Sequence, residues 1–151
     1  MRKVLLFFVV GILLLFSCEK DDFCTQNPVT PNLILRFYND INRSELKQAT
    51  GLYVWADNKD TIFTNIATDS LVIPLNTAVN QTIYNLSQNN IVNQITINYD
   101  INPIYVSRSC GFKINFENVT ISSNNTWVTE VSPSNGITID NQNAAHVQVF
   151  H

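Results

Sequence analysis

The stretch Ile95-Thr96-Ile97-Asn98-Tyr99-Asp100 decides the fold class of this chain. Its apolar and polar residues alternate strictly, and successive side chains of an extended strand point to opposite faces. Ile95, Ile97 and Tyr99 therefore share a dry face, and Thr96, Asn98 and Asp100 a wet one. The same period places Leu33, Leu35 and Phe37 inward with Arg36 outward, and Leu71, Ile73 and Leu75 inward around Pro74. Proline cannot donate to a ladder, so that strand is expected at a sheet edge or bent at Pro74. Further strands are expected near Leu52 to Ala56, Thr61 to Ile66, Gln81 to Leu86, Pro103 to Cys110, Thr126 to Val131 and Ala144 to Phe150. No segment carries a helical period. The expected architecture is all-β: a single antiparallel β-sandwich, immunoglobulin-like or transthyretin-like in outline, with a barrel as the alternative. Glycine is scarce, at 4 residues, and asparagine crowds the connections, where it can adopt turn conformations that glycine otherwise supplies.

Working outward to the N-terminus, Arg2 and Lys3 precede an uninterrupted apolar run from Val4 to Phe16. This is the layout of a signal peptide, and the run is shorter than the ~18 apolar residues a spanning helix needs. Leu15-Phe16-Ser17-Cys18 has the form of a lipobox, in which a small residue precedes a cysteine that accepts lipid. The expected organisation is a cleaved lipoprotein signal peptide over 1–17, a lipidated tether over 18–30, and a β-sandwich domain over 31–151. Acyl chains contribute about 0.8 kcal/mol per buried CH₂, so a multiply acylated Cys18 would anchor the chain without any helix.

With Cys18 assigned to lipid, two of the three cysteines remain, Cys24 and Cys110. Two thiols in an exported chain are expected to form a disulfide; two free buried thiols are the alternative. Alternation through Cys110, Phe112, Ile114 and Phe116 places Cys110 on the buried face of a strand. Loop-closure entropy for so long a loop gives roughly 4 to 5 kcal/mol of stabilisation. There is no CxxC spacing and no histidine near either cysteine, so neither a metal site nor a redox pair is indicated. Without Arg2 and Lys3, 7 basic residues face 12 acidic ones, a net charge of −5 that offers nothing to nucleic acid.

Four segments carry a resemblance over essentially the whole chain: Cys18 to Cys24, Thr30 to Tyr38, Val72 to Asn76, and Val106 to Phe112. They resemble an uncharacterised family of Bacteroidota outer-membrane lipoproteins, a domain of unknown function. The resemblance implies a Gram-negative cell envelope. Lys20-Asp21-Asp22 is similar to the acidic signal that sends such lipoproteins to the outer face of the outer membrane; a merely solvated tether is the other reading.

Chemistry finds few footholds. His146 alternates with Ala145 and Val147, which places it on the solvent face, and His151 ends the chain; both read as ordinary surface residues. The acids are scattered, Asp57-Asn58-Lys59-Asp60 reads as a hairpin turn in preference to a Ca²⁺ loop, and GxSxG, phosphate-loop and HExxH motifs are absent. No cofactor, no metal and no catalytic residue is expected. Among the aromatics, Tyr53, Trp55 and Trp127 are the candidate ligand or partner surface, with cross-strand packing as the competing role. Asp60-Thr61-Ile62 and Asp69-Ser70-Leu71 resemble the Asp-Ser/Thr-apolar sites of Bacteroidota O-glycosylation, which makes Thr61 and Ser70 candidate acceptors. The expected function is a non-enzymatic, lipid-anchored module of the cell outer membrane that docks on an outer-membrane β-barrel protein or complex, the alternative being a surface glycan-binding module.

Overall fold

The computed structural model describes residues 23–25 and 28–151. The signal peptide and Cys18 lie outside the described residues. The described chain falls into two compact units: Val29–Ile104 with Lys113–His151, and a small one in which Tyr105–Phe112 joins the described residues up to Pro28.

Ten strands and no helix make up the described fold. They are β1 (Leu33–Tyr38), β2 (Ala49–Ala56), β3 (Thr61–Thr68), β4 (Ser70–Ile73), β5 (Gln81–Gln88), β6 (Ile91–Ser107), β7 (Gly111–Ser123), β8 (Glu130–Ser132), β9 (Ile137–Ile139) and β10 (Val147–Phe150). One sheet has the order β4-β1-β10-β8 and the other β3-β2-β5-β6-β7-β9. Apolar residues from both sheets make one core, in which Leu33, Leu35 and Phe37 of β1 meet Leu52, Val54, Ile95, Ile97 and Phe116 at full burial. Each such side chain contributes about 1.5 to 3 kcal/mol relative to exposure.

The decisive stretch behaves as its alternation requires, with Ile95, Ile97 and Tyr99 inside and Asn98 and Asp100 outside. Pro74 directly follows β4, which is an edge strand. Pairing is not wholly antiparallel, which corrects the expectation: β1 and β10 run parallel, with Leu35 opposite Val147 and Phe37 opposite Val149. Antiparallel neighbours follow from short hairpins, and no short connection joins the first strand to the last. The strand expected over Pro103 to Cys110 is the second half of the 17-residue β6. Pro103 lies beyond Asn98, the last residue of β6 paired with β5, in the part of the strand whose remaining neighbour is β7. Cys110 also departs from expectation: it sits half-buried in the turn between β6 and β7, and Phe112 is exposed while Phe116 is fully buried. Alternation says which way a side chain points, not whether anything covers it.

Of the segment Thr126 to Val131, only the end is strand. Asn93, fully buried, accepts the Thr126 N–H at 2.9 Å and donates to Ser123 Oγ at 2.9 Å, so its amide replaces the ladder for that connection. The short β9 was not anticipated, being below the length of the other apolar runs.

Asparagine takes the place of glycine as the turn residue. The described non-glycine residues with positive φ are Asn58, Asn65, Asn89, Asn90, Asn118 and Asn125. Asn89 and Asn90, at φ 51° and 63°, form a two-residue hairpin loop closed by the Gln88 and Ile91 pair, the geometry of a type I′ turn. Asn58 occupies the β2–β3 turn, as read from Asp57 to Asp60.

A hydroxyl seam fastens the chain after β4. Tyr84 donates to the Pro74 carbonyl at 2.6 Å, and Tyr99 donates to the Asn76 carbonyl at 2.8 Å. Thr82 Oγ1 accepts the Asn76 N–H at 2.9 Å and lies 2.6 Å from the Tyr99 hydroxyl, to which it donates because the Tyr99 proton is committed. Burial, reinforced by Tyr99, pushes the Tyr84 phenol up to about 12. The folded state therefore holds this proton more tightly than the unfolded chain, with its ordinary value near ~10, so the contribution is complete below pH ~10 and lost as pH rises toward 12. Thermal melts should show stability falling over that window, and Tyr84→Phe should lower stability at neutral pH by about 1 kcal/mol while flattening the alkaline loss. An alkaline limb identical in both proteins would contradict the assignment.

Candidate functional surface

The outer face of the six-stranded sheet is built on β2. Gly51 and Asn65, at φ 64° and 52°, sit where the β2–β3 register shifts, and the bulge resets the alternation of β2, so that Ala49 and Leu52 are both buried although three residues apart. Leu52 and Val54 are buried, and Tyr53 and Trp55 face the other way. Tyr53 lies opposite Ser87, which lies opposite Val92; Trp55 lies opposite Asn85, which lies opposite Gln94. Two cross-strand rows result, Tyr53-Ser87-Val92 and Trp55-Asn85-Gln94. Tyr53 and Val92 are each 40% exposed, whereas Trp55 is half-buried. Gln94 donates its amide to Asn85 Oδ1 at 3.2 Å, which satisfies the otherwise buried Asn85 side chain. The face thus combines two large rings with hydroxyl and amide groups.

Trp127 does not join them. It is half-buried against the core, its Nε1 donates to the Leu86 carbonyl at 2.9 Å, and its ring lies 6.3 Å from Phe37. Packing on the fully buried Phe37 places Trp127 on the core side of β5. Among the other aromatics, Tyr84 is buried in the hydroxyl seam and Tyr38 packs on Phe150 at 5.9 Å.

Neither histidine is a simple surface group. His146 Nδ1 accepts the Ile34 N–H at 3.0 Å, which leaves Nε2 to donate to the Asn141 carbonyl at 3.0 Å; the ring laces the approach to β10 onto β1. His151, read as an ordinary chain end, is half-buried, with its ring edge-on to Trp127 at 5.4 Å and to Phe37 at 5.8 Å. Burial lowers its pKa, because the charged imidazolium would be desolvated. The period of Val147 and Val149 carries His151 to the same inward face, which is the signal that the reading as a surface residue missed.

Thr61 opens β3, an edge strand, and is exposed, whereas Ser70 is half-buried at the start of β4, with its N–H and carbonyl both engaged by Thr68 Oγ1. An open cleft of about 340 Å³ lies along Ala56, Asp57, Lys59, Pro74 and Tyr84, beside the hydroxyl seam. Among the described residues, no group of three or more His, Cys, Asp or Glu side chains gathers in a metal-holding arrangement.

The smaller unit holds the expected covalent link. Cys24 and Cys110 form a disulfide with Cα atoms 4.7 Å apart. Cys110 N–H donates to Ser107 Oγ at 3.0 Å, closing the turn. Around it stand the exposed rings of Tyr105 and Phe112, edge to face at 5.4 Å, and the exposed Phe23 beside Cys24. Phe23 and Phe112 were not among the aromatic residues singled out from the sequence; a phenylalanine next to a cysteine gives no sign of exposure until the turn is seen.

Comparison with known proteins gives one family: residues 51–151 match the model described as Family of unknown function (DUF6452). No curated protein and no solved structure matches the chain.

Proposed function

This chain belongs to the DUF6452 family, a family of unknown function, and from that premise we propose that it is a non-enzymatic, lipid-anchored protein of the cell outer membrane that docks on an outer-membrane β-barrel protein or a complex built around one. The observation that carries the reading is the Cys24–Cys110 disulfide. Only Glu19 to Phe23 separate the lipobox cysteine from Cys24, so the half-cystine lies within about 20 Å of the anchor even when those residues are fully extended. A domain on so short a leash works at the membrane surface, next to proteins embedded there. The Tyr53 and Trp55 face is the docking surface in this reading, since exposed aromatic side chains are enriched where protein interfaces form.

For the outline of the sandwich our reading is the transthyretin-like one, and the strand order supports it by departing from the immunoglobulin arrangement. In the immunoglobulin arrangement the first, second, fifth and fourth strands share a sheet, whereas β1 and β4 are separated here from β2, β3 and β5.

Two measurements test the proposal. Metabolic labelling with an alkyne fatty acid should tag the wild-type chain and not Cys18→Ala; an unlabelled wild type removes the anchor. Mild detergent extraction with cross-linking and affinity capture should then recover a stoichiometric outer-membrane protein, and the Tyr53→Ala, Trp55→Ala double variant should lose it. Recovery of the lipoprotein alone would sink the docking role. A glycan-binding module is the second reading, favoured by the amides and hydroxyls of Asn85, Ser87 and Gln94 beside Tyr53 and Trp55. It requires binding on a polysaccharide array that is lost in Trp55→Ala.

A further inference from the structure

We propose that the β6–β7 turn is a membrane-interface contact, in which Tyr105 and Phe112, with Phe23, enter the headgroup region of the bilayer that holds the lipid anchor. The inference rests on the lipid-anchored reading above and deepens it by naming the element that touches the membrane. Three aromatic side chains of the small unit are largely exposed: Phe23 at 82%, Phe112 at 64% and Tyr105 at 60%. Their rings have little protein to cover them, and Tyr105 and Phe112 keep each other company only edge to face. Exposed apolar side chains scattered singly are ordinary; here two exposed rings are in contact on one turn, and a third belongs to the residue next to the half-cystine bound to that turn.

What covers them follows from connectivity. Cys24 Cα is 4.7 Å from Cys110 Cα, and Phe23 is its neighbour, so Phe23 Cα lies within about 8.5 Å of Cys110 Cα. Phe23 is also five residues from Cys18, a reach of at most ~17 Å. The disulfide therefore carries the aromatic turn on the segment that enters the lipid. The turn from Tyr105 to Phe112 carries no acidic side chain of its own; Glu19, Asp21 and Asp22 lie on the tether before Phe23. Tyrosine, with an apolar ring and a polar hydroxyl, is a residue type enriched at the membrane–water boundary. Acyl chains and an interfacial contact together form the two-signal anchoring that keeps a protein stably on a membrane.

The test uses the full lipidated protein reconstituted into phosphatidylethanolamine vesicles with and without brominated acyl chains. Tyr105→Trp and Phe112→Trp each place a reporter at an exposed position where the fold has room for it. Emission in excess of the wild-type background should shift to the blue on vesicles and be quenched when the chains are brominated. A protein that floats with the vesicles but whose added tryptophan is neither shifted nor quenched overturns the interface contact and leaves the anchor intact. A protein that does not float overturns both.

Discussion

Replacing Trp127 by alanine is expected to lower the unfolding free energy by about 3 to 5 kcal/mol, whereas Trp55→Ala should cost about 1 kcal/mol or less. The two tryptophans belong to the same candidate surface in the sequence and to opposite sides of a sheet in the fold. Trp127 lies against Phe37 and His151 and closes the Leu86 carbonyl with its Nε1–H. Truncation would open a cavity beside the fully buried Phe37 and strip a carbonyl of its donor, and those losses fall on the same site. Trp55 has its ring on the outer face of β2, where alanine leaves no void. Urea unfolding of both variants decides the matter, and Trp127→Phe should recover most of the packing while still lacking the hydrogen bond. Equal losses for Trp55→Ala and Trp127→Ala would mean that the outer face is itself covered.

Cys24→Ser is the second large change, and its expected cost is about 2 to 3 kcal/mol, a melting temperature lower by about 10 °C. Closing a loop across a separation of 86 residues would by itself give roughly 4 to 5 kcal/mol. The folded chain, however, is already fastened near the same place: Thr30 Oγ1 accepts the Ile114 N–H at 3.1 Å. In the native state the bond therefore restrains only the few residues from Cys24 to Thr30, and releasing them returns entropy to the folded side as well. The net effect is the difference between closing a long loop and closing a short one. Melting with and without reductant should lower the wild type to the level of Cys24→Ser and leave that variant unmoved. An unchanged melting temperature would refute a stabilising role, while a loss near 5 kcal/mol would show that the Thr30 attachment fails together with the disulfide.

Much of the candidate surface was legible in part. Alternation in β2 separates Tyr53 and Trp55 from Leu52 and Val54, because the strand period is two and one face must be dry. It could not sort Trp127, whose segment is mostly not strand: buried Asn93 captures the Thr126 backbone and turns the chain so that the indole enters the core. The exposure of the Phe112 ring beside Tyr105 escaped for the complementary reason. Their strands are regular, but a pattern within one strand contains no information about whether another element lies over it.

Local chemistry alone thus determined that this protein is all-β, which residues of Leu33–Phe37 and Ile95–Tyr99 face inward, that Pro74 marks an edge, and that asparagine would take the turns. These follow from side-chain periodicity and backbone sterics, which act over a few residues. Tertiary structure alone decided the parallel pairing of β1 with β10, the inward turn of Trp127, the packing of His151, and the place of Cys110 in an uncovered hairpin turn. Each depends on a partner far away in the chain, and burial is a property of that partner as much as of the residue itself.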